Sequence, residues 1–377
     1  MARLAALRHG SKLTLTGVLK GIKIIEFAGL GPCPFVGMML ADHGAEVIRV
    51  DRPGGRFLQE EAASRSRRSI VVDMKNPDGV KLLKRLCRTA DGLIEGFRPG
   101  VMERAGLGPE VLLAENPKLV FGRITGWGQF GPLSQAAGHD INYIALSGAL
   151  HLVGSKDGPP IPPVNMVGDF GGGGMLLAFG MVAALLGVKM GRPGQVIDAA
   201  MTDGSALLAA MPYGLFAAGH YRDERGSNMI DGGSHYYGCY ECADGRFISI
   251  GSVEARFYQV LRGFLGISDD SSFDAQQDPA AWPSLKQKLS DIFKTRSSGE
   301  WCELLEGTDA CFAPVMSMND APQHPHNLAR GTFIALGNTF QPAPAPRFLA
   351  TPAGQPWLSK LGADQESIMR ELRDFGE

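Results

Sequence analysis

The 377-residue chain has almost no excess charge of either sign: 37 lysines and arginines stand against 39 aspartates and glutamates, a formal net charge of −2. So even a balance gives no overall electrostatic footprint for nucleic acid, and any anion must be held locally. Cysteine is also scarce. Six are scattered, and only "CYEC" (Cys239, Cys242) has metal-like or redox-like spacing, with no second cysteine or histidine pair at zinc-finger spacing. Reduced thiols, a cytoplasmic location and no metal site are expected. The longest apolar run, "MLLAFGMVAALLGV", is short and glycine-interrupted, so it reads as a core helix rather than a membrane span. The amino-terminal "MARLAALRHGSKLTLTG" lacks the apolar centre and small-residue cleavage pattern of a signal peptide and reads as a loose extension. The closing "RDFGE" carries no peroxisomal tripeptide. No internal repeat is present.

What the chain does have is core material. At 44% hydrophobic residues it supports two domains. "IKIIEFAG", "PFVGMMLADHG" and "AEVIRVD" read as strand, helix and strand, a β-α-β unit opening a parallel sheet. "SIVVDM", "GLIEGF" and "LVFGRITG" continue the sheet, with "GVKLLKRLCRTA" as an intervening helix, so the expected architecture is an α/β, Rossmann-like doubly wound sheet. "GLGPCP" after the first strand imitates a dinucleotide fingerprint, but Pro34 replaces its third glycine and Arg52, Pro53 and two glycines follow Asp51 directly, which argues against a nicotinamide or flavin cofactor. After "GQVIDAAMTDGSALLAAM" the pattern shifts to short strands, with a hairpin turn at Asp244 and Gly245. The expected domains are residues 1–225, large and ending in a long linker helix; 226–330, small and α+β; and 331–377, a return to the large domain through the proline-rich "FQPAPAPRFL".

Basic residues stand where a phosphate ligand needs them. Arg52 follows the second strand, Arg65 and Arg67 lie in "RSRR", and Arg98 lies in "GFRPG" past another strand. Ligands of open parallel sheets bind beyond the carboxyl ends of the strands, and guanidinium forks suit phosphate oxygens. Asp169 directly precedes four glycines in "VNMVGDFGGGGMLLAFG". An aspartate there can simply cap a helix, but the glycines also allow a ligand close to the backbone, and a helix amino terminus favours developing negative charge. Upstream, "GHDINYIALSG" supplies His139, Asp140, Asn142 and Tyr143, and histidine is the usual proton-transfer group near neutrality.

Taken together, "GHDINYIALSG", "GDFGGGG", "FAGLGPCPF", "VIRVDRPGG", "GFRPGVMERAGLGPE", "NMIDGG", "GSVEARFY" and "GTDACFAPV" resemble the α-methylacyl-CoA racemases of the family III CoA-transferase (CaiB/BaiF-type) superfamily, from about residue 18 to beyond 350. The resemblance implies an interlocked homodimer whose active site lies at the subunit interface, with acyl-CoA as substrate and no cofactor. By motif it implies that His139 and Asp169 are the two catalytic bases, that Glu254 of a second subunit tunes His139, and that Arg52 and Arg98 bind the CoA phosphates. Arg65 and Arg67 are added to that phosphate set from the basic cluster. Asn165, Tyr143 and Asp140 are supporting residues, Asn165 as an orienting partner of Asp169 or as a loop hydrogen-bonder. The implied reaction interconverts (2R)- and (2S)-2-methylacyl-CoA by two-base proton transfer through an enolate. The alternative is a CoA-transferase using Asp169 as nucleophile.

Overall fold

The computed structural model describes residues 15–55 and 61–375, so most of the amino-terminal extension lies outside the described residues. The chain divides into two compact units. The first comprises Met1–Ala137, Asp169–Gly204 and Gly331–Glu377, and the second Gly138–Gly168 and Ser205–Arg330. Residues 138–168 and 205–225, expected from sequence in the large domain, therefore cluster with 226–330.

The first unit is built on six strands, β1 (Lys23–Phe27), β2 (Glu46–Asp51), β3 (Arg68–Val71), β4 (Gly92–Glu95), β5 (Val120–Thr125) and β6 (Val196–Ala200), in the order β3-β2-β1-β4-β5-β6 with every pair parallel. The order reverses between β1 and β4, the crevice where such sheets hold ligands. Helices α1 (Pro32–Asp42), α2 (Pro77–Arg88), α3 (Val101–Arg104) and α4 (Pro109–Glu115) make or flank the crossovers. Prolines at the start of α1, α2 and α4 suit a first turn that needs no N–H donor. Asn76 caps α2 by accepting the Asp78 N–H. Apolar cores form on both faces of the sheet, around Ile25, Ile48 and Phe121 on one and Ile24, Val47 and Val120 on the other. The carboxyl-terminal segment adds a hairpin, β10 (Phe333–Leu336) and β11 (Thr339–Pro342), and the helix α13 (Gln365–Asp374), whose Ile368 and Leu372 close the first core. The expected extended linker thus begins as a paired strand.

The helical stretch Met166–Lys189 is 24 residues long and, by length and composition, apolar enough to cross a membrane. Its second part, α6 (Leu176–Lys189), packs Leu177, Ala178, Met181, Ala184 and Leu185 into the sheet core. The opposite side leaves Phe179 (73%), Val182, Leu186 and Met190 exposed. The reading of this run as a core helix therefore accounts for one face only.

In the second unit, α5 (Asp140–Leu146) and α8 (Ala210–Ala217) precede an antiparallel sheet of β7 (Tyr237–Glu241), β8 (Phe247–Gly251) and β9 (Phe312–Pro314). The hairpin turns at Gly245, whose φ of 72° suits glycine. Helix α7 (Met201–Leu208) joins the two units in sequence, and α9 (Ala255–Leu265), α10 (Trp282–Phe293), α11 (Ser298–Leu305) and α12 (Pro325–Arg330) complete the unit. His235 is fully buried here, with a ring nitrogen 2.6 Å from the Tyr258 hydroxyl. Burial pushes its pKa down to about 4. In the unfolded chain the ring ionises near pH 6.5, so the unfolded state binds more protons between pH 6.5 and 4, and stability falls as pH drops through that window. We expect a loss of roughly 3 kcal/mol across it. Denaturant unfolding at pH 7 and pH 4 checks this, and His235→Phe should flatten the pH slope.

Candidate active site at the carboxyl edge of the sheet

Asp169 is not a helix cap. It lies in the first turn of a π-helical segment, Met166–Met175, that runs directly into α6. Wide π turns inside longer helices mark functional positions. Two of the four following glycines, Gly172 and Gly174, sit in close packing contacts. A Cβ on Gly174 would lie 2.7 Å from the Phe35 ring, and one on Gly204 of α7 would collide with the Gly172 carbonyl. Packed this closely, the segment directs the Asp169 carboxylate onto Gly31, the residue capping α1, where an added Cβ would meet Oδ2 at 3.1 Å. Gly31 has φ 69°, a second reason for glycine. Asp169 is thus held at the amino end of α1, immediately past β1 and beside the strand-order reversal.

Arg52 and Arg98 follow β2 and β4, the two strands flanking β1, and both are exposed at the same carboxyl edge of the sheet. The loop carrying Arg98 is tethered, because the Phe97 N–H donates to Glu95 at 2.7 Å and Glu95 in turn accepts from Arg123 at 2.7 Å. Burial raises the Glu95 pKa, and Arg123 opposes that shift.

Arg65 and Arg67 depart from expectation. Arg65 pairs with Asp42 and donates to the Pro342 carbonyl at 2.7 Å. Arg67 pairs with Glu26 at 2.9 Å and also donates to the carbonyls of Arg65, Pro34 and Ala63. Both guanidinium groups are buried among these partners and present no donor to a phosphate, so they tie chain segments together instead. The sequence could not reveal this, because their acidic partners lie on distant segments.

Cys33 also stands at the start of α1. Its Sγ points to the Phe27 carbonyl at 3.8 Å, and burial pushes its pKa well above the ordinary value, which leaves it as thiol. Leu30, 94% exposed in the adjoining loop, escaped the sequence reading. The available signal was a large apolar residue between two glycines.

In the second unit, His139 is the exposed amino-terminal cap of α5 and donates its backbone N–H to Asn142 Oδ1 at 3.0 Å. Asp140 and Tyr143 lie on the buried side of α5. A Cβ on Gly168 would collide with the Asp140 carboxylate, so Asp140 braces the chain just ahead of Asp169. Asn165 is half-buried immediately before the π-helical segment. Glu254 is the exposed cap of α9, its carbonyl accepting the Tyr258 N–H at 3.0 Å. Cys239 is exposed and Cys242 buried, and among the described residues no group of three or more His, Cys, Asp or Glu could hold a metal ion.

A family model described as CoA-transferase family III matches residues 19–364. The protein named alpha-methylacyl-CoA racemase in Mus musculus is 43% identical over 360 residues, covering 95% of this chain and 93% of that one. Its namesake in Homo sapiens is 44% identical over 357 residues, covering 94% and 93%. Among solved structures, a CAIB/BAIF family protein from Brucella suis gives a TM-score of 0.81 at 26% identity, covering 95% of this chain and 100% of that one. With its six-stranded parallel sheet and a family match over most of its length, the chain belongs to CoA-transferase family III.

Proposed function

We propose that the protein interconverts the (2R) and (2S) epimers of 2-methylacyl-CoA thioesters, the activity in the names of its mouse and human relatives. The observation that carries the reading is the fixed Asp169 carboxylate at the amino end of α1, in a chain that also keeps a solvent-accessible His139. The α-proton of a thioester is weakly acidic, so its removal needs an oriented base and stabilisation of the enolate oxygen. In this reading Asp169 and His139 serve opposite faces. One removes the proton, the conjugate acid of the other returns one, and the configuration at C2 inverts. The Asp169 backbone N–H, in the first helical turn, is the proposed donor to the enolate oxygen, a contribution of about 3 kcal/mol for a well-placed donor. Asn165 is assigned to orient Asp169.

A homodimer belongs to the same proposal, with Glu254 of the partner subunit tuning His139. The exposed apolar stripe of α6, Phe179, Val182 and Leu186, continued by Met190 just past its end, supports a surface covered by protein. Arg52 and Arg98 are assigned to the CoA phosphates. Arg98→Ala should raise KM for acyl-CoA about tenfold with little change in kcat, a loss of uniform binding read by steady-state kinetics.

The transferase alternative predicts a different product. Incubating one epimer with excess free carboxylic acid tests it: epimerisation without transfer of CoA to the acid supports the proposal, and CoA exchange without epimerisation rejects it.

A further inference from the structure

Arg123 is buried in the first unit and pairs with two carboxylates, Glu95 and Glu103. It stands opposite Glu95 in the parallel register of β5 and β4, so the two side chains leave the same face of the sheet. Arg123 Nε donates to Glu95 Oε1 at 2.7 Å, while its terminal nitrogens fork onto Glu103 of α3 at 2.7 and 3.3 Å. Glu95 is the last residue of β4 and Glu103 lies in the helix that follows. One guanidinium therefore bridges the two ends of the loop that carries Arg98.

The span between those ends is held at further points. The Phe97 ring meets Phe27 edge-on with centroids 6.1 Å apart, and the Pro99 carbonyl accepts from Gln135 at 3.3 Å. A Cβ on Gly108 would lie 2.9 Å from Glu103 Cγ, so the far end is packed as well as paired. Arg98, in the middle, keeps its side chain exposed. A buried carboxylate-guanidinium-carboxylate chain adds little net stability, because desolvation offsets the pairing. What it does supply is a single geometry for the loop, and a cation held in place before its ligand arrives binds with less ordering entropy lost. We propose that Arg123 and Glu103 are positioning residues for CoA that act through Arg98, fixing its loop so that the guanidinium meets a phosphate at the carboxyl edge of the sheet. This role rests on the assignment of Arg98 to CoA within the racemase reading and adds the residues on which that contact depends.

Glu103 is the residue to change, because its side chain is 43% exposed and its removal leaves the buried pair of Arg123 and Glu95 in place. Titration calorimetry with CoA on the wild type, Glu103→Ala, Arg98→Ala and the double variant gives dissociation constants, and α-deuterium incorporation from 2-methylbutanoyl-CoA in D2O gives kcat and KM. Glu103→Ala should weaken CoA binding about fivefold and raise KM by a similar factor, with kcat within about twofold of wild type. In the Arg98→Ala background the same change should add less than about twofold, because the side chain through which it acts is gone. Damage to the fold would instead lower the binding stoichiometry and kcat. CoA bound by Glu103→Ala as tightly as by the wild type, or penalties that multiply in the double variant, overturns the positioning role, and so does a wild type that binds no CoA. With the coupling present, failure of the wild type to exchange the α-proton overturns the racemase reading alone.

Discussion

Asp169→Ala lowers net epimerisation in both directions by about 10³-fold, and lowers α-proton exchange by a similar factor from the epimer whose proton faces Asp169, the scale of a general base lost from proton transfer. The geometry explains why no neighbour substitutes. The carboxylate sits against the α carbon of Gly31, where even a methyl group would lie within 3.1 Å of Oδ2, and the nearby thiol of Cys33 is kept protonated by burial. Kinetics with each separate epimer measures the loss. Retention of more than about a tenth of wild-type activity would remove Asp169 from the chemistry, since one general base contributes far more than that. Because the transferase mechanism also needs this carboxylate, the variant tests the site and not the reaction type.

His139→Ala separates the two. Net epimerisation should fall about 10²- to 10⁴-fold in both directions, since the equilibrium constant cannot change. Exchange of the α-proton should nonetheless persist from the epimer whose proton faces Asp169 and vanish from the other. This asymmetry follows from assigning one base to each face. His139 sits at the start of α5 with its backbone N–H held by Asn142, so removing its side chain leaves that capping contact in place. Equal, mild losses of exchange from both epimers would contradict a second base. In a transferase with Asp169 as nucleophile, His139 has no such directional role.

Much of this was legible in the sequence because it rests on local patterns. The strand-helix-strand opening, the parallel run to β6 and the Asp244–Gly245 hairpin all follow from apolar periodicity and turn residues. Arg52 and Arg98 could be placed at the strand ends because each follows its strand directly. The errors came where tertiary partners decide. "RSRR" looks like an exposed basic cluster, yet Arg65 and Arg67 are consumed by Asp42 and Glu26 from earlier segments and by carbonyls. Of the glycines after Asp169, which read as room for a ligand, Gly174 packs against Phe35 of α1 and Gly172 against Gly204 of α7. Spacing alone cannot tell a glycine that admits a ligand from one that admits another backbone. The unit boundaries were hidden for a similar reason, since residues 138–168 leave and rejoin the first unit's sequence with no turn or linker signal at either junction.

The most direct test is incubation of the purified protein with a single epimer of a 2-methylacyl-CoA in D2O, without acceptor acid, following α-deuterium content and epimer ratio together. The account predicts deuterium uptake coupled to drift toward a mixture of both epimers. An unlabelled thioester of unchanged configuration, from enzyme that readily moves CoA onto an added free acid, would contradict it.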